Sequence, residues 1–232
     1  MPLPGPLKNL FRGGKAPAAA GGPPVPPTVG RPSGRVGDET ISTRPSRGLD
    51  EFFNYIRDQS GLTILDLGGA TQQNVSFITN LGHRLYSEDF LQILHETFEG
   101  EEGGEQSNPG RIDYFLKQSL DYPEGHFDGV LVWDVLEYLG PALLPAVVER
   151  IHAIVRPKSY VLAFFHSDDK LDSVPYYTFR IQDVNMLQLA ARGARRPAQL
   201  FNNRSLEKLF TRYESVKFFL TRERLREVII KV

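Results

Sequence analysis

The sequence predicts an α/β fold in which a mainly parallel sheet alternates with helices and ends in one reversed strand. A strand, a tight glycine turn and a helix follow one another over residues 62–80. The apolar run at 127–133, broken only by Asp128, is typical of a central parallel strand that is buried on both faces. Two more strand patterns, at 215–220 and 227–232, are joined by so few residues that they are predicted to pair antiparallel.

Periodicity and capping residues predict the remaining elements. Leu49, Phe52, Phe53 and Ile56 recur at helical spacing and predict a short amphipathic helix before the first strand. Ser205 is predicted to cap the last helix. We predict further helices at 73–80, 90–99, 141–155 and 205–213, strands at 63–67, 84–87, 160–165 and within 112–117, a surface loop at 100–110 and a mixed segment up to 197.

Residues 1–45 are predicted to be a disordered tail, and residues 46–232 the folded domain. Ten of the seventeen prolines lie in this tail, and proline removes backbone donors that regular structure needs. Because such a segment buries little apolar surface, we expect deletion of residues 1–45 to leave the thermal stability unchanged. The alternative is an arginine-bearing arm for an acidic partner.

Charge and composition exclude several classes of function. Seven basic and two acidic residues give residues 1–48 a charge of +5, which leaves −6 for the rest of a chain whose net charge is −1. Nucleic-acid binding by the folded domain is therefore not expected, because phosphate binding needs a dense positive surface. Without cysteine the chain has no disulfide, thiolate nucleophile or cysteine-ligated zinc. No apolar run approaches the ~18–20 residues of a membrane span and no signal peptide is predicted, so we expect a cytoplasmic protein with no membrane partner.

The glycine turn predicts a ligand of the nucleotide type. The strand in LTILDLGGAT, residues 62–71, ends at Asp66 and is followed by Gly68 and Gly69. A strand, a glycine turn and a helix in this order bring backbone N–H groups close to a ligand. About twenty residues later a second strand pattern ends at Glu88 and Asp89, and an acid at that spacing suits the two hydroxyls of a ribose. The pair of signals predicts an adenosine-containing cofactor.

Four stretches resemble the class I S-adenosylmethionine-dependent methyltransferase family, and the resemblance covers residues 49–232. They are LDLGGA at 65–70, DF at 89–90, FDGVLVWDVLEYL at 127–139, which is the most similar, and IHAIVRPKSY at 151–160. The resemblance implies a Rossmann-like, doubly wound sheet of seven strands with a reversed last strand, in agreement with the predicted C-terminal hairpin. It also implies S-adenosylmethionine as the cofactor and methyl transfer as the reaction. No metal site is predicted, because the histidines show no metal-binding spacing such as His-Glu-x-x-His.

The resemblance assigns the glycine turn to the cofactor. Gly68, Gly69 and Ala70 would let the backbone approach its methionine part, and Asp66 would orient the loop. A plain turn between a strand and a helix is the alternative. The family often has glycine at the positions of Ala70 and Gln72.

Three more residues are predicted to contact the adenosyl part. Asp89 is the predicted ribose ligand, with Glu88 as second choice, because a carboxylate accepts two hydrogen bonds from a cis-diol. Phe90 would lie along the adenine, and Gln118, after the third strand, would reach its amino group. The alternatives are a helix cap for Asp89 and a core position for Phe90.

Candidates for catalysis follow the fourth and fifth strands. Ligands of open α/β sheets bind outside the carboxyl ends of the strands, where Trp133, Asp134 and His166 are predicted to lie. We predict Trp133 as a cofactor contact, Asp134 as a general base or substrate contact, and His166 as the group that takes a proton near neutral pH. A helix cap for Asp134 and a polar loop for His166, Ser167, Asp168 and Asp169 are the alternatives.

The acceptor of the methyl group is predicted to be a small molecule, without a defined identity. Arg192, Arg195 and Arg196 follow Tyr176 and Tyr177 and could bind an acidic group on it, or they could lie at a solvated helix end. A second function remains open, that of a non-catalytic protein that binds S-adenosylmethionine or its demethylated product, or of a scaffold that keeps only the fold. A nicotinamide dehydrogenase is disfavoured, because GGATQQ at 68–73 does not supply the Gly-x-Gly-x-x-Gly fingerprint that such enzymes need.

Overall fold

The computed structural model describes residues 40–99, 105–168, 170–221 and 224–232. The strands are β1 Ile41–Pro45, β2 Thr63–Asp66, β3 Arg84–Ser87, β4 Phe127–Trp133, β5 Val155–His166, β6 Val174–Asp183, β7 Met186–Arg195, β8 Ser215–Leu220 and β9 Leu225–Lys231. The helices are α1 Arg47–Ile56, α2 Gln72–Asn80, α3 Phe90–Phe98, α4 Pro109–Ser119, α5 Leu143–Ile154 and α6 Asn203–Leu209, and a 3₁₀ turn lies at Val135–Tyr138.

The main sheet has the strand order β3-β2-β4-β5-β9-β8. β3, β2, β4 and β5 are parallel, and β9 runs antiparallel to both of its neighbours. Helices cover both faces, so the prediction of a doubly wound α/β sheet that ends in an antiparallel hairpin is confirmed. The carboxyl ends of β2, β3, β4 and β5 share one edge, and the candidate site is assembled there.

The predicted strand count of seven is wrong, since the described residues form six strands in this sheet. The strand expected within 112–117 is part of α4. Its apolar residues Ile112, Phe115 and Leu116 are spaced for a helix, and Pro109 stands in the first helical turn. Asn108 caps that turn, because its side-chain oxygen accepts a hydrogen bond from the N–H of Arg111 at 3.2 Å.

A second sheet with the order β1-β7-β6 forms from residues for which the sequence predicted no strands. The mixed segment before residue 197 is the antiparallel hairpin of β6 and β7, and β1 pairs with β7 from Ile41↔Ala190 to Pro45↔Met186. We call this three-stranded unit the cap sheet. The prediction of a tail is therefore wrong for 41–45, while residues 1–39 lie outside the described part of the chain. Arg44 of β1 is buried, so deletion of 1–45 removes packed structure and should lower the stability.

The cap sheet packs on the face of the main sheet that also carries α1 and α2. Phe179 and Leu189 of the cap sheet share an apolar cluster with Phe52 of α1 and with Trp133 and Phe164 of the main sheet. Asn74 of α2 joins the two units, because its side chain donates to the carbonyl of Phe179 at 3.1 Å and accepts from the N–H of Ile181 at 2.8 Å. The opposite face is covered by α3, α4 and α5.

Smaller differences concern element ends. The last helix begins at Asn203 with Asn202 as its cap, in place of the predicted Ser205, because the Asn202 side chain accepts from the N–H of Ser205 at 2.9 Å. Part of the loop predicted at 100–110, and parts of the turn between β8 and β9, lie outside the described residues. None of the described helices has the length and apolar character that crossing a bilayer requires.

Candidate functional site

The glycine turn is held by the carboxylate of Asp66 at the end of β2. This fully buried side chain accepts hydrogen bonds from the N–H of Gly68 at 2.8 Å and from the side chain of Asn74 at 3.1 Å. Burial raises the pKa of Asp66, while its hydrogen bonds, first that from Trp133, act in the opposite direction. Asp66 therefore orients the loop from inside, as predicted, and the carboxylate is enclosed by protein groups.

The outer side of the turn is open. Gly69 has a φ of +80°, a conformation that favours glycine, and a side chain added there would meet nothing closer than the Asp89 carboxyl group at 3.5 Å. Gly68, Ala70 and Asp89 are exposed. Asp89 caps α3 through one oxygen, which accepts from the N–H of Gln92 at 3.1 Å. The helix-cap alternative for Asp89 is thus present in the structure, and its exposed carboxylate also stands beside the glycine turn.

Trp133 closes the other side of the turn. Its indole Nε1 donates to Asp66 at 2.6 Å, and its ring stacks on Phe179 with centroids 4.9 Å apart and planes at 9°. A side chain at Gly68 would lie 2.6 Å from the indole ring, so glycine is needed there to admit Trp133. Trp133 has a φ of +57°, which is rare for a bulky aromatic residue and typical of strained positions at functional sites.

Two of the predicted adenine contacts lie elsewhere. Phe90 is fully buried, with its ring 5.0 Å from that of Phe115, so it occupies the core position that the sequence left as an alternative. Gln118 is exposed on α4, and its prediction fails because it depended on a third strand that is absent from the described residues. Gln72 does not crowd the turn, since its amide donates to Ser76 along α2 at 3.1 Å.

Asp134 and His166 come together in a buried group that also contains Glu137 and Tyr138. We call these four residues the polar cluster; they follow β4 and end β5, and each is at most 5% exposed. Glu137 binds His166 twice, accepting from its backbone N–H at 2.7 Å and lying 2.6 Å from its Nδ1. The alternative of a polar loop for His166 is therefore wrong.

Three polar atoms of this cluster have no hydrogen-bond partner within the described part of the chain. They are Asp134 Oδ2, Tyr138 Oη and His166 Nε2. Buried polar atoms are nearly always paired, so three unpaired atoms in one cluster distinguish it from an ordinary part of the core. Asp134 also makes no side-chain cap to the following 3₁₀ turn, which removes the structural alternative for this residue.

Burial perturbs the titration of the cluster. It raises the pKa of Asp134 to about 7, helped by the charge of Glu137 and opposed by that of His166. Burial lowers the pKa of His166, but its hydrogen bond to Glu137 and the charges of Glu137 and Asp134 outweigh that effect and leave the pKa raised. Burial, with the same two carboxylates, raises the pKa of Tyr138. Groups perturbed in this way in one cluster are typical of functional sites.

The raised pKa of Asp134 predicts a pH dependence of stability. Between an unfolded value near 3.9 and a folded value near 7, the folded state binds a proton that the unfolded state lacks. The stabilisation is therefore complete below about pH 4 and is lost as the pH rises through about 7. Asp134→Asn has no titrating carboxyl group at this position and escapes that loss. From about pH 5 to about pH 8, the difference in free energy of unfolding between the variant and the unchanged chain should therefore move by about 2–3 kcal/mol in favour of the variant.

Urea denaturation at a series of pH values measures this difference. Asp121→Asn is the matched control, because Asp121 is exposed and the same substitution there should leave the pH dependence as it is. If the free energy of unfolding changed with pH in the same way for Asp134→Asn and the unchanged chain, Asp134 would be ionised equally in the folded and the unfolded state.

Sequence reasoning found Asp134 and His166 but assigned no role to Glu137 or Tyr138. The spacing of Asp134 and Glu137, three residues apart, was the available signal, because it places two side chains on the same side of a helical turn. The partnership of Glu137 with His166 had no local signal, since 29 residues separate them. Trp133 was found at the correct place, but as a cofactor contact rather than as a donor to Asp66.

A glycine turn, an exposed acid and a polar cluster along one carboxyl edge of a sheet form the arrangement with which open α/β proteins bind nucleotide-like ligands. A family model described as a methyltransferase domain matches residues 38–214. The chain therefore belongs to the methyltransferase domain family, in agreement with the predicted resemblance. None of the curated proteins matches the chain.

Several solved structures are similar to this chain. The 1,6-didemethyltoxoflavin N1-methyltransferase of Burkholderia thailandensis, with 1,6-didemethyltoxoflavin and S-adenosylhomocysteine bound, is 15% identical, with a TM-score of 0.43 over 79% of this chain and 76% of that one. A methyltransferase of Methanosarcina mazei is 15% identical, with a TM-score of 0.45 over 77% of this chain and 94% of its own. One of Archaeoglobus fulgidus is also 15% identical, with a TM-score of 0.47 over 79% and 92%.

Proposed function

We propose that the chain transfers the methyl group of S-adenosylmethionine to an oxygen or nitrogen atom of a small molecule, with His166 as the base. The observation that carries the proposal is the buried imidazole of His166. Glu137 holds its Nδ1, while its Nε2 makes no side-chain hydrogen bond in the described part of the chain and has only the backbone of Pro175 nearby. A ring held at one nitrogen by a carboxylate can take a proton from a bound acceptor at the other.

Glu137 and His166 are arranged like the carboxylate and the histidine of a catalytic triad. A carboxylate that accepts from Nδ1–H fixes the tautomer in which Nε2 carries the lone pair, and it stabilises the imidazolium that forms. The two contacts from Glu137 to the same residue, one to the backbone and one to the ring, hold the imidazole in one orientation. Asp134 is near enough to raise the pKa of His166 and thereby favours the protonated product.

The open side of the glycine turn supports a cofactor site. Gly69 and Ala70 present a backbone without side-chain obstruction to the methionine part, and the exposed Asp89 supplies a carboxylate for the ribose hydroxyls. On the other side, Trp133 donates to Asp66 below the turn and is followed in the chain by Asp134 of the polar cluster. These residues would hold the cofactor.

The chain's own residues need to supply only alignment and a proton acceptor. S-adenosylmethionine, when bound, supplies an electrophilic methyl group together with its leaving group. His166 Nε2 would receive the proton that the acceptor loses when it takes up the methyl group. Burial of the cluster lowers the local dielectric constant, which strengthens the interaction of Glu137 and Asp134 with the charge that develops on the imidazole.

The cofactor site is tested by Asp89→Asn. Asparagine is as good a helix cap as aspartate, so this change keeps the start of α3 and removes only the charged acceptor for the ribose. We expect the Kd for S-adenosylmethionine to rise about 10–100-fold, since a hydrogen bond to a charged group contributes about 1.5–3 kcal/mol. Calorimetric titration with S-adenosylmethionine and with its demethylated product measures the change.

Asp58→Asn serves as the control, because Asp58 is an exposed residue beyond α1 and its replacement should leave the Kd unchanged. An unchanged Kd in Asp89→Asn would place the ribose elsewhere, with Glu88 as the next acid to replace.

A further inference from the structure

A cavity of about 570 Å³ opens beside the polar cluster and is not used by the mechanism above. Leu91 and Leu94 of α3 form an apolar wall, and Arg195 and Arg196, at the end of β7, bring two positive charges. Tyr138 belongs both to this cavity and to the polar cluster. The volume lies within the range of sites that bind small molecules, which is about 300–1,000 Å³.

The two arginines lack a carboxylate partner. Arg195 is half-buried between two aromatic rings, with its guanidinium carbon 5.5 Å from the centroid of Tyr138 and 5.1 Å from that of Tyr176. Neither Arg195 nor Arg196 forms an ion pair with any described residue. Glu99 is the one acid among the described lining residues, and its carboxylate lies 2.9 Å from His95 Nδ1. Two arginines and one carboxylate give the described lining a net positive charge.

Stacking keeps one of these charges in place. Cation–π contacts with Tyr138 and Tyr176 hold the planar guanidinium of Arg195 against the wall, which leaves its N–H groups for a ligand. The guanidinium fork matches a carboxylate or a phosphate, with two parallel hydrogen bonds. The hairpin that carries these arginines also shows that the helix-end alternative for them is wrong, because Arg192 and Arg195 lie on a strand.

We propose that the methyl acceptor is an anionic small molecule whose oxyanion binds Arg195 and Arg196 and whose apolar part lies on Leu91 and Leu94. The acceptor atom would then point past Tyr138 toward His166, and the oxyanion would be a recognition group that is not itself methylated. This inference rests on the proposed function, since it names the acceptor class for the same site.

Direct binding tests the inference without requiring turnover. The probes are 4-hydroxybenzoate and its neutral isostere 4-hydroxybenzamide, followed through the arginine Nε–Hε signals in NMR spectra. We expect saturable shifts of the Arg195 signal with the carboxylate and none with the amide. Arg195→Met and Arg196→Met should each weaken binding about 10-fold or more, while Arg192→Met, on the same strand and outside the cavity lining, should bind as the unchanged chain does. The absence of a saturable shift would overturn the inference.

Label transfer then tests whether the site serves the acceptor. Methyl-tritiated S-adenosylmethionine is incubated with the small-molecule fraction of a cell extract, and the products are separated on an anion-exchange resin at neutral pH. We expect label in the retained fraction. With Arg195→Met the amount of label should fall, and it should recover when the extract is more concentrated. Label in the unretained fraction would overturn the inference and leave the proposed function intact. Binding of 4-hydroxybenzoate without any label transfer would instead contradict the proposed function, because the protein would then bind the anion without methylating an acceptor.

Discussion

Replacement of His166 by asparagine is expected to lower the rate of methyl transfer by a factor of about 10²–10⁴, which is the usual contribution of general base catalysis. The amide of asparagine can still donate to Glu137 in place of Nδ1–H, so the variant loses the lone pair at Nε2 and keeps the buried carboxylate paired. Binding of S-adenosylmethionine should be unchanged, because the glycine turn and Asp89 do not contact His166. Label transfer to the small-molecule fraction measures the rate, and calorimetry measures the binding.

His152→Asn is the matched control for this experiment. His152 lies on α5 with its ring 4.9 Å from that of Tyr213, away from the polar cluster, and its replacement should leave the rate unchanged. A His166→Asn variant that binds S-adenosylmethionine and still transfers methyl groups at the original rate would show that His166 is not the base. In that case Asp134, whose pKa is raised to about 7, would be the next candidate.

The largest effect on stability is expected from Glu227→Gln, because this fully buried carboxylate joins the cap sheet to the main sheet. It accepts hydrogen bonds from Arg44 Nη2 at 2.7 Å, from Ser46 Oγ at 2.9 Å and from the N–H of Gly48 at 2.6 Å. Glutamine has nearly the same shape, but it removes the negative charge from the buried Arg44 and turns one acceptor into a donor. Breaking a buried ion pair in this way costs about 3–5 kcal/mol of the free energy of unfolding.

Urea denaturation measures this loss, and Glu214→Gln is the matched control. Glu214 pairs with Lys231 at the surface, at 2.5 Å, so the same substitution should produce no measurable change there. Removal of both charges, in Arg44→Met with Glu227→Gln, should recover part of the stability, since neither member of the pair then keeps a buried charge. Equal stabilities for Glu227→Gln and Glu214→Gln would contradict the structural role given to Glu227.

The parallel part of the main sheet was predictable because each of its elements carries a local signal. The parallel strands Arg84–Ser87 and Phe127–Trp133 begin and end at the predicted residues, as does the antiparallel edge strand Ser215–Leu220. Phe127–Trp133 is an apolar run that is buried along its whole length, and a strand of this kind depends little on its neighbours for its pattern. The helix at Pro109–Ser119 was mistaken for a strand because the prediction was confined to residues 112–117, a window too short for the helical spacing of its few apolar residues to stand out.

The cap sheet was not predictable from composition or periodicity. β1 lies in a segment that follows a proline-rich tail, and its partner β7 is more than 140 residues away in the chain. Its pairing is decided by contacts such as Arg44 with Glu227, which join residues 183 positions apart. No local pattern in Ile41–Pro45 distinguishes a paired strand from an extended linker.

By itself, the sequence determined the fold class, the family and the residues at the carboxyl edge. The residues that follow parallel strands lie at one edge of the sheet, so the glycine turn and the residues after the buried strand are placed together there. The tertiary structure decided what those residues do. It paired Glu137 with His166, placed Trp133 against Gly68 and Asp66, and left the arginines of the cap sheet beside Tyr138. Each of these relations joins side chains that are distant in the chain. Their effects on charge and proton affinity depend on burial, which only the packed molecule supplies.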